Sequence, residues 1–405
     1  MRPDFSHITD ALSIIQSRLI ADLPNYERLQ GGEDLLSKRA IILLGPRGVG
    51  KSTFLLRLSQ QLKASAFYLS LDNPLLAGIS LYELGDWVFQ NGYDTLICDE
   101  IHYLPDWSRH LKALYDSHPH KQIWASDSST LVLRKGLGDL SRRFLIREFP
   151  YLSFREYLWL KHQVILPSMS FENLLAHKIK KFSCKFNIQK EFQHYIKSGT
   201  RPFFLEGDYE ERALGIVDKI IHSDIPHFLS EVRETHLNLM RNIIGYLAMS
   251  PIPVVNIESL SKTWSVSKLT VYNLLTVMED TSLINIVRYE GIKKGQSKGT
   301  KIFFADANLY AAYGGHMGNT REAFFNMQMK MMGKDVRCPK DPSQYDFSVD
   351  GYTFEIGGRS KKLKGADFVV RDDVDTATKK VIPLWMLGLV DEGVGFVWKQ
   401  VQIPA

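Results

Sequence analysis

The sequence predicts an α/β protein. It should hold a parallel phosphate-binding sheet, a helical region, a helix-turn-helix with a β-hairpin, and a small mixed C-terminal domain. Three observations carry that reading. Short apolar runs alternate with helix-periodic stretches over residues 1–150, as strands and helices do in a parallel sheet. One run leads into Gly45-Pro46-Arg47-Gly48-Val49-Gly50-Lys51-Ser52, which fits GxxxxGK[ST]. Another ends in two carboxylates, Asp99 and Glu100.

Each element follows from its pattern. Ile41–Leu44, Ala66–Leu71, Thr95–Cys98 and Gln122–Ala125 read as strands, with amphipathic stretches beginning near Lys51, Ser80 and Trp107. Residues 151–240 are mostly helix-periodic; Phe154, Tyr157, Leu158 and Phe192, Tyr195, Ile196 keep the spacing of one helix face. Residues 241–310 give a short helix, Ile257–Trp264, a turn, and a second helix, Lys268–Met278, with Leu269, Tyr272 and Leu274/Leu275 as its apolar stripe. Strands Leu283–Tyr289 and Lys301–Ala305 follow, separated by a Gly/Lys-rich turn. That order is the order of a winged helix. Residues 311–405 begin with a helix, Thr320–Met331, and continue with strands Gln344–Val349, Tyr352–Ile356, Ala366–Val370 and Val381–Leu387.

The strand–loop–helix around Gly45–Thr53 has a mechanism. Glycines let backbone N–H groups close around phosphate oxygens, and the helix N-terminus adds positive potential. Lys51 would reach the β- and γ-phosphates of ATP, and the Ser52 hydroxyl would ligate Mg²⁺. Asp99 would hold Mg²⁺ directly or through water, and Glu100 would polarise the attacking water.

With these residues the chain resembles the prokaryotic AAA+ ATPases that carry a C-terminal restriction-endonuclease-like domain. The matching stretches are GPRGVGKST (Gly45–Thr53), YLSLDN (Tyr68–Asn73), ICDEIHYLPDWSRHLKALYD (Ile97–Asp116), ASDSSTLVL (Ala125–Leu133), LSRRF (Leu140–Phe144) and LSFREYL (Leu152–Leu158). The resemblance covers essentially the whole chain and is strongest over residues 40–160. It implies a P-loop NTPase sheet of the AAA+ type over 1–150, a helical lid over 151–240, a winged helix over 241–310 and a restriction-endonuclease-like domain over 311–405. It implies a γ-phosphate sensor at the end of the fourth strand, Ser126 or Ser128. Asp127 stands where the family usually has a small residue. It also implies an arginine finger, Arg142 or Arg143, reaching a neighbouring subunit's nucleotide. The active form would then be a homo-oligomer, a hexameric ring being one candidate.

In the winged helix, Ser267, Lys268, Thr270 and Asn273 would face a DNA groove, and Lys293, Lys294, Lys298 and Lys301 would hold backbone phosphates. The partner expected there is DNA, duplex or branched; protein packing is the bland alternative. In the C-terminal segment, Glu322, Asp346 and Glu355 have the layout by which restriction-endonuclease-like folds hold Mg²⁺. The Glu-x-Lys expected there reads Glu355-Ile356-Gly357. A degenerate site, used for binding or for holding a protein partner, is therefore the expectation. Arg201 is a weaker candidate for a nucleotide contact from the lid.

Composition bounds the rest. Of 405 residues, 44% are hydrophobic and 23% charged, with a net charge of +5, ordinary for a globular chain and against disorder. Residues 241–310 hold eight basic and five acidic side chains, the largest share of that surplus. The three cysteines, Cys98, Cys184 and Cys338, form no CxxC pair, so thiols in a reducing compartment are expected. No stretch suggests a signal peptide or a membrane span, which makes the cytoplasm the expected location.

Overall fold

The computed structural model describes residues 4–29, 33–62, 65–128, 140–179, 182–229, 232–251, 257–291 and 300–391. The chain forms two compact units that meet in sequence between Pro150 and Tyr151.

The first unit is a five-stranded sheet in the order β2-β3-β4-β1-β5. The strands are β1 (Ala40–Leu44), β2 (Ala66–Ser70), β3 (Thr95–Asp99), β4 (Gln122–Asp127) and β5 (Leu145–Glu148). All its pairings are parallel. Every residue of β1 and β3 is buried, as expected of strands covered on both faces. Helices Lys51–Leu62, Leu81–Gln90 and Trp107–Ser117 begin where the sequence placed them. Ser80 caps the second of these, its side chain accepting from the Glu83 N–H, which satisfies one orphan donor of the first turn.

Strand β5 was not foreseen. Its sequence, Leu-Ile-Arg-Glu, has no apolar run, and Leu145 is exposed. It is an edge strand held in register by β1. The pairing extends past the strand, where the Phe149 N–H donates to the Leu44 carbonyl. That brings the Phe149 backbone so close to Gly45 that a Cβ at position 45 would collide with the Phe149 carbonyl. Gly45 is thus required by the sheet edge as well as by the loop it opens.

The second unit carries a seven-stranded sheet in the order β12-β11-β10-β9-β8-β6-β7. Strands β6 (Ile284–Tyr289) and β7 (Lys301–Phe304) pair antiparallel, in the stretch where a hairpin was expected. They join the C-terminal strands through a parallel pairing of β6 with β8 (Arg337–Cys338). The others are β9 (Phe347–Val349), β10 (Tyr352–Gly357), β11 (Phe368–Arg371) and β12 (Val381–Pro383). Helix Met317–Met331 packs on β10 and β7. Phe325 meets Phe347 at 5.6 Å and Phe354 at 5.3 Å between ring centroids. Phe324 reaches Phe192 and Tyr195 of helix Ile188–Ser198, at 5.2 and 5.9 Å. The aromatic face of the helical segment is therefore core, with Phe154, Tyr157 and Tyr195 at most 2% exposed.

Two readings need correction, and a third residue is placed. The strand expected over Val381–Leu387 ends at Pro383, and Leu384–Leu387 is a helical turn; proline has no N–H to extend the ladder and suits a helix start. The apolar stripe of helix Lys268–Asp280 is rotated from the one expected. Leu274 and Leu275 are buried as expected, but Leu269 is 67% exposed, and Val271, Val277 and Met278 complete the buried face. Arg201, the weaker candidate for a nucleotide contact, is packed within the second unit. It is buried, paired with Asp306 and stacked 5.1 Å over the Tyr151 ring.

Cys98, Cys184 and Cys338 are free thiols. Among the described residues no helix is long and apolar enough to cross a membrane.

Gly45→Ala should cost about 3 kcal/mol or more, because backbone meets Cβ and no side chain can yield. Gly215→Ala, exposed within helix Tyr209–Lys219 and facing open space, should gain about 0.8 kcal/mol. Denaturant midpoints of the two variants check both signs.

Candidate functional site

Parallel strands end together, so the loops following β1, β3 and β4 converge at one edge of the first sheet. β4 lies between β1 and β3. The loop Gly45–Gly50 turns through Gly48 and Gly50 at φ of 75° and 95°, a region L side chains avoid. It runs into helix Lys51–Leu62, which points its N-terminus at the same edge. Lys51 is buried, and its Nζ donates to the carbonyls of Gly45 at 2.7 Å and Pro46 at 3.1 Å. Burial lowers its pKa, while Glu100, Asp99 and Asp127 oppose that shift. Arg28, which the sequence reading passed over, braces the loop. Its Nη1 donates to the carbonyls of Val49 (3.2 Å) and Pro150 (2.8 Å), and its guanidinium lies 4.5 Å over the Phe149 ring. No local pattern marks such a residue, because its partners are backbone atoms distant in sequence.

Asp99 closes β3 and is 1% exposed. Tyr68 donates to its Oδ2 at 2.6 Å, Ser126 donates to its Oδ1, and the Glu100 N–H donates to Oδ1 at 3.1 Å. Glu100 adopts the left-handed conformation, φ 54° and ψ 52°. Its Oε1 lies 3.8 Å from Arg47 Nη1. Burial raises its carboxyl pKa, opposed by Lys51 and Arg47. Asp127 is fully buried, and its Oδ2 lies 3.0 Å from the His102 N–H and 2.8 Å from His102 Nδ1. The carboxylate that stands where a small residue was expected is thus occupied by two donors of one histidine.

The donor set suits the ion a nucleotide site would use. A Ser52 hydroxyl and an Asp99 carboxylate are hard oxygen donors, as Mg²⁺ requires. Ser126 is committed to Asp99, whereas Ser128 Oγ is buried without a hydrogen-bond partner among the described residues. Arg143 forms a bidentate pair with Asp116 at 2.8 and 2.9 Å, and Arg142 is exposed.

The winged-helix residues separate. Ser267 Oγ accepts from the Thr270 N–H at 3.0 Å and lies 2.8 Å from Thr270 Oγ1; these two hydroxyls cap a helix. Lys268 and Asn273 are exposed, Lys268 Nζ lying 3.5 Å from Glu258. Lys293, Lys294 and Lys298 lie outside the described residues. Lys301 is not the exposed wing lysine expected. It is on β7, with Nζ 3.0 Å from Glu322 and 3.6 Å from Asp346, and 4.5 Å over the Phe347 ring. The physical reason is the shared sheet, which brings β7 beside helix Met317–Met331 and β9 into one core.

Glu322, Asp346 and Glu355 do come together, and lysines fill the gaps between them. Lys361 Nζ lies 2.7 Å from both Asp346 Oδ2 and Glu355 Oε2, and Lys364 Nζ is 3.8 Å from Glu355 Oε1. Gly357, where a lysine was expected, makes this possible. A Cβ there would sit 2.8–2.9 Å from the Cβ, Cγ and Cδ of Lys361, so the missing side chain is the space through which Lys361 folds back. Burial pushes the Glu322 and Glu355 carboxyls up. For Asp346, burial is outweighed by Lys301, the Ile356 N–H and Lys361, which hold it below the usual range. As arranged, each of the three carboxylates has a lysine ammonium within 4 Å.

Residues 37–158 match the AAA domain family. An uncharacterized protein of Methanocaldococcus jannaschii is 29% identical over 306 residues, 69% of this chain and 63% of its own length. The chain thus spans 63% of the length of that curated relative. Among solved structures, the Walker-type ATPase of Pyrococcus abyssi has 14% identity, covers 74% of this chain and 94% of its own, and superposes with a TM-score of 0.41. The RuvB Holliday junction branch migration motor of Thermotoga maritima has 14% identity, 71% and 93% coverage and a TM-score of 0.32.

Lys361→Met should destabilise the second unit by about 3 kcal/mol, because it removes the nearest cation from two largely buried carboxylates and leaves them only Lys301 at 3.6 Å and Lys364 at 3.8 Å. Adding Glu355→Leu should recover part of that loss. Denaturation of the single and double variants measures both, and an unchanged midpoint for Lys361→Met would contradict the assignment.

Proposed function

We propose that this chain, whose residues 37–158 carry an AAA domain, is a Mg²⁺-dependent ATPase that couples ATP binding and hydrolysis to remodelling or movement on DNA in an oligomer. The observation that carries the ATPase reading is the convergence of Lys51, Asp99 and Glu100 at one sheet edge, with β4 between them.

The chain's own residues divide the work. Backbone N–H groups of Gly48–Ser52 and the helix N-terminus cradle the β- and γ-phosphates, and Lys51 leaves its loop carbonyls to neutralise them. Mg²⁺, held by Ser52 and Asp99, would screen charge on the same phosphates. Water attacks the γ-phosphorus, the bond to the β–γ bridging oxygen breaks, and Glu100 takes the water's proton. ADP and phosphate leave. Ser128, buried at the end of β4, is the better placed of the two serines to sense the γ-phosphate, since Ser126 is tied to Asp99. Arg142 is the candidate finger, since Arg143 is engaged by Asp116. Full turnover by Arg142→Ala would remove that role.

DNA contact is carried by less. Lys268 and Asn273 are exposed on the second helix, whereas Ser267 and Thr270 cap it and Lys301 is internal. An assembly switch with slow turnover uses the same nucleotide site. The C-terminal cluster is read as a closed site for binding or assembly, because Lys301 and Lys361 occupy the gaps a metal would need.

The discriminating experiment is ATP turnover by the full chain with and without duplex and branched DNA across a salt series. A motor on DNA should be stimulated, with affinity falling steeply with salt through counterion release. Slow, unstimulated turnover would favour the switch. Metal-dependent cleavage of the DNA, lost in Glu355→Ala, would overturn the closed-site reading.

A further inference from the structure

We infer that Asp127 and His102 are positioning residues that tie the start of the phosphate loop to Glu100. This rests on the ATPase reading of the site. It adds two side chains that need touch neither nucleotide nor metal.

The connection is continuous. Asp127 is the last residue of β4 and pairs in register with Leu44, the last of β1. Its backbone carbonyl accepts from the Gly45 N–H at 3.3 Å. Its side chain points the other way, to the turn Ile101–Tyr103 after β3. There one oxygen, Oδ2, receives both the backbone N–H of His102 at 3.0 Å and Nδ1 at 2.8 Å. A carboxylate only accepts, so Nδ1 carries the proton and the tautomer is set. Nδ1 is also 3.5 Å from Glu100 Oε2. The ligand atoms of Glu100, His102 and Asp127 lie within 4.8 Å of one another. His102 is 3% exposed, and its ring lies 4.2 Å from that of Tyr103, tilted 35° to it.

Two physical arguments make this more than packing. Glu100 is a non-glycine residue at φ 54°, a conformation that costs energy unless its surroundings impose it. The backbone around it is held at three points: the Glu100 N–H by Asp99 Oδ1, the Glu100 carbonyl by the Tyr103 N–H at 3.2 Å, and the His102 N–H by Asp127. Second, a fully buried carboxylate near Glu100 and Asp99 is unfavourable by itself. A small residue would fill the end of β4 at less electrostatic cost. His102 gives Asp127 two donors, and the same two donors hold the turn that follows Glu100.

The test uses the full chain and compares Asp127→Ala, His102→Ala and His102→Asn. In the last, the asparagine side-chain N–H replaces the Nδ1 donor. Steady-state kcat and KM are measured together with equilibrium binding of ATP. Expected for both alanine variants is a fall in kcat of about tenfold to a hundredfold, with ATP affinity close to the unsubstituted chain, and substantial recovery in His102→Asn. Intact ATP affinity shows that the unit is folded. Three results would overturn the inference: kcat unchanged in Asp127→Ala, kcat and ATP affinity lost in step, or His102→Asn no better than His102→Ala. An unsubstituted chain that binds ATP and never turns it over would instead remove the ATPase reading, and this inference with it.

Discussion

Strand β4 lies between β1 and β3, and the nucleotide site depends on that insertion. Neighbouring strands are about 4.8 Å apart, so the ends of β1 and β3 are separated by about 10 Å. That span holds the loop with Lys51 on one side and Asp99 with Glu100 on the other, and leaves room for phosphates, a metal and a water. Because β4 fills the gap, its terminal residues touch both sides. Asp127 uses its carbonyl for Gly45 and its carboxylate for His102, while Ser126 uses its hydroxyl for Asp99. Each bond is modest in net terms, about 1 kcal/mol for a neutral pair and more where an ionised group takes part. Their value is geometric, since a misplaced base loses far more rate than the bond contributes to stability.

Charge compensation governs the second unit. Three carboxylates around one sheet would repel strongly if left ionised in a dry interior. Lysines from three places, β7 and two points after β10, supply the opposite charge. The arrangement requires the hairpin and the C-terminal strands to be one sheet, and it withdraws Lys301 from any outward role. The basic surplus of residues 241–310 is correspondingly smaller on the outside than in the composition.

The first unit was largely legible because its signals are local. A continuous apolar run marks a doubly covered strand, and GxxxxGKS joins a strand to a helix whatever lies around it. Asp99 and Glu100 follow from their place at a strand end. What could not be read depends on distant partners. Strand β5 has no apolar run and exists through its pairing with β1. Arg28 acts on backbone carbonyls 21 and 122 residues away in sequence. His102 and Asp127 stood inside matched stretches, yet their pairing crosses two strands. In the second unit the three carboxylates were found as candidates, but the shared sheet was not, so Lys301 was assigned to the wrong surface. Gly357 looked like the loss of a lysine; in the fold it is the opening that admits Lys361.

The most direct measurement is ATP binding and turnover in Glu100→Gln set beside Lys51→Ala. Glutamine keeps the shape of Glu100 and cannot take the water's proton. The account predicts that Glu100→Gln binds ATP as the unsubstituted chain does and loses turnover by about a hundredfold or more, whereas Lys51→Ala loses binding itself. Normal turnover in Glu100→Gln, or undiminished ATP binding in Lys51→Ala, would contradict it.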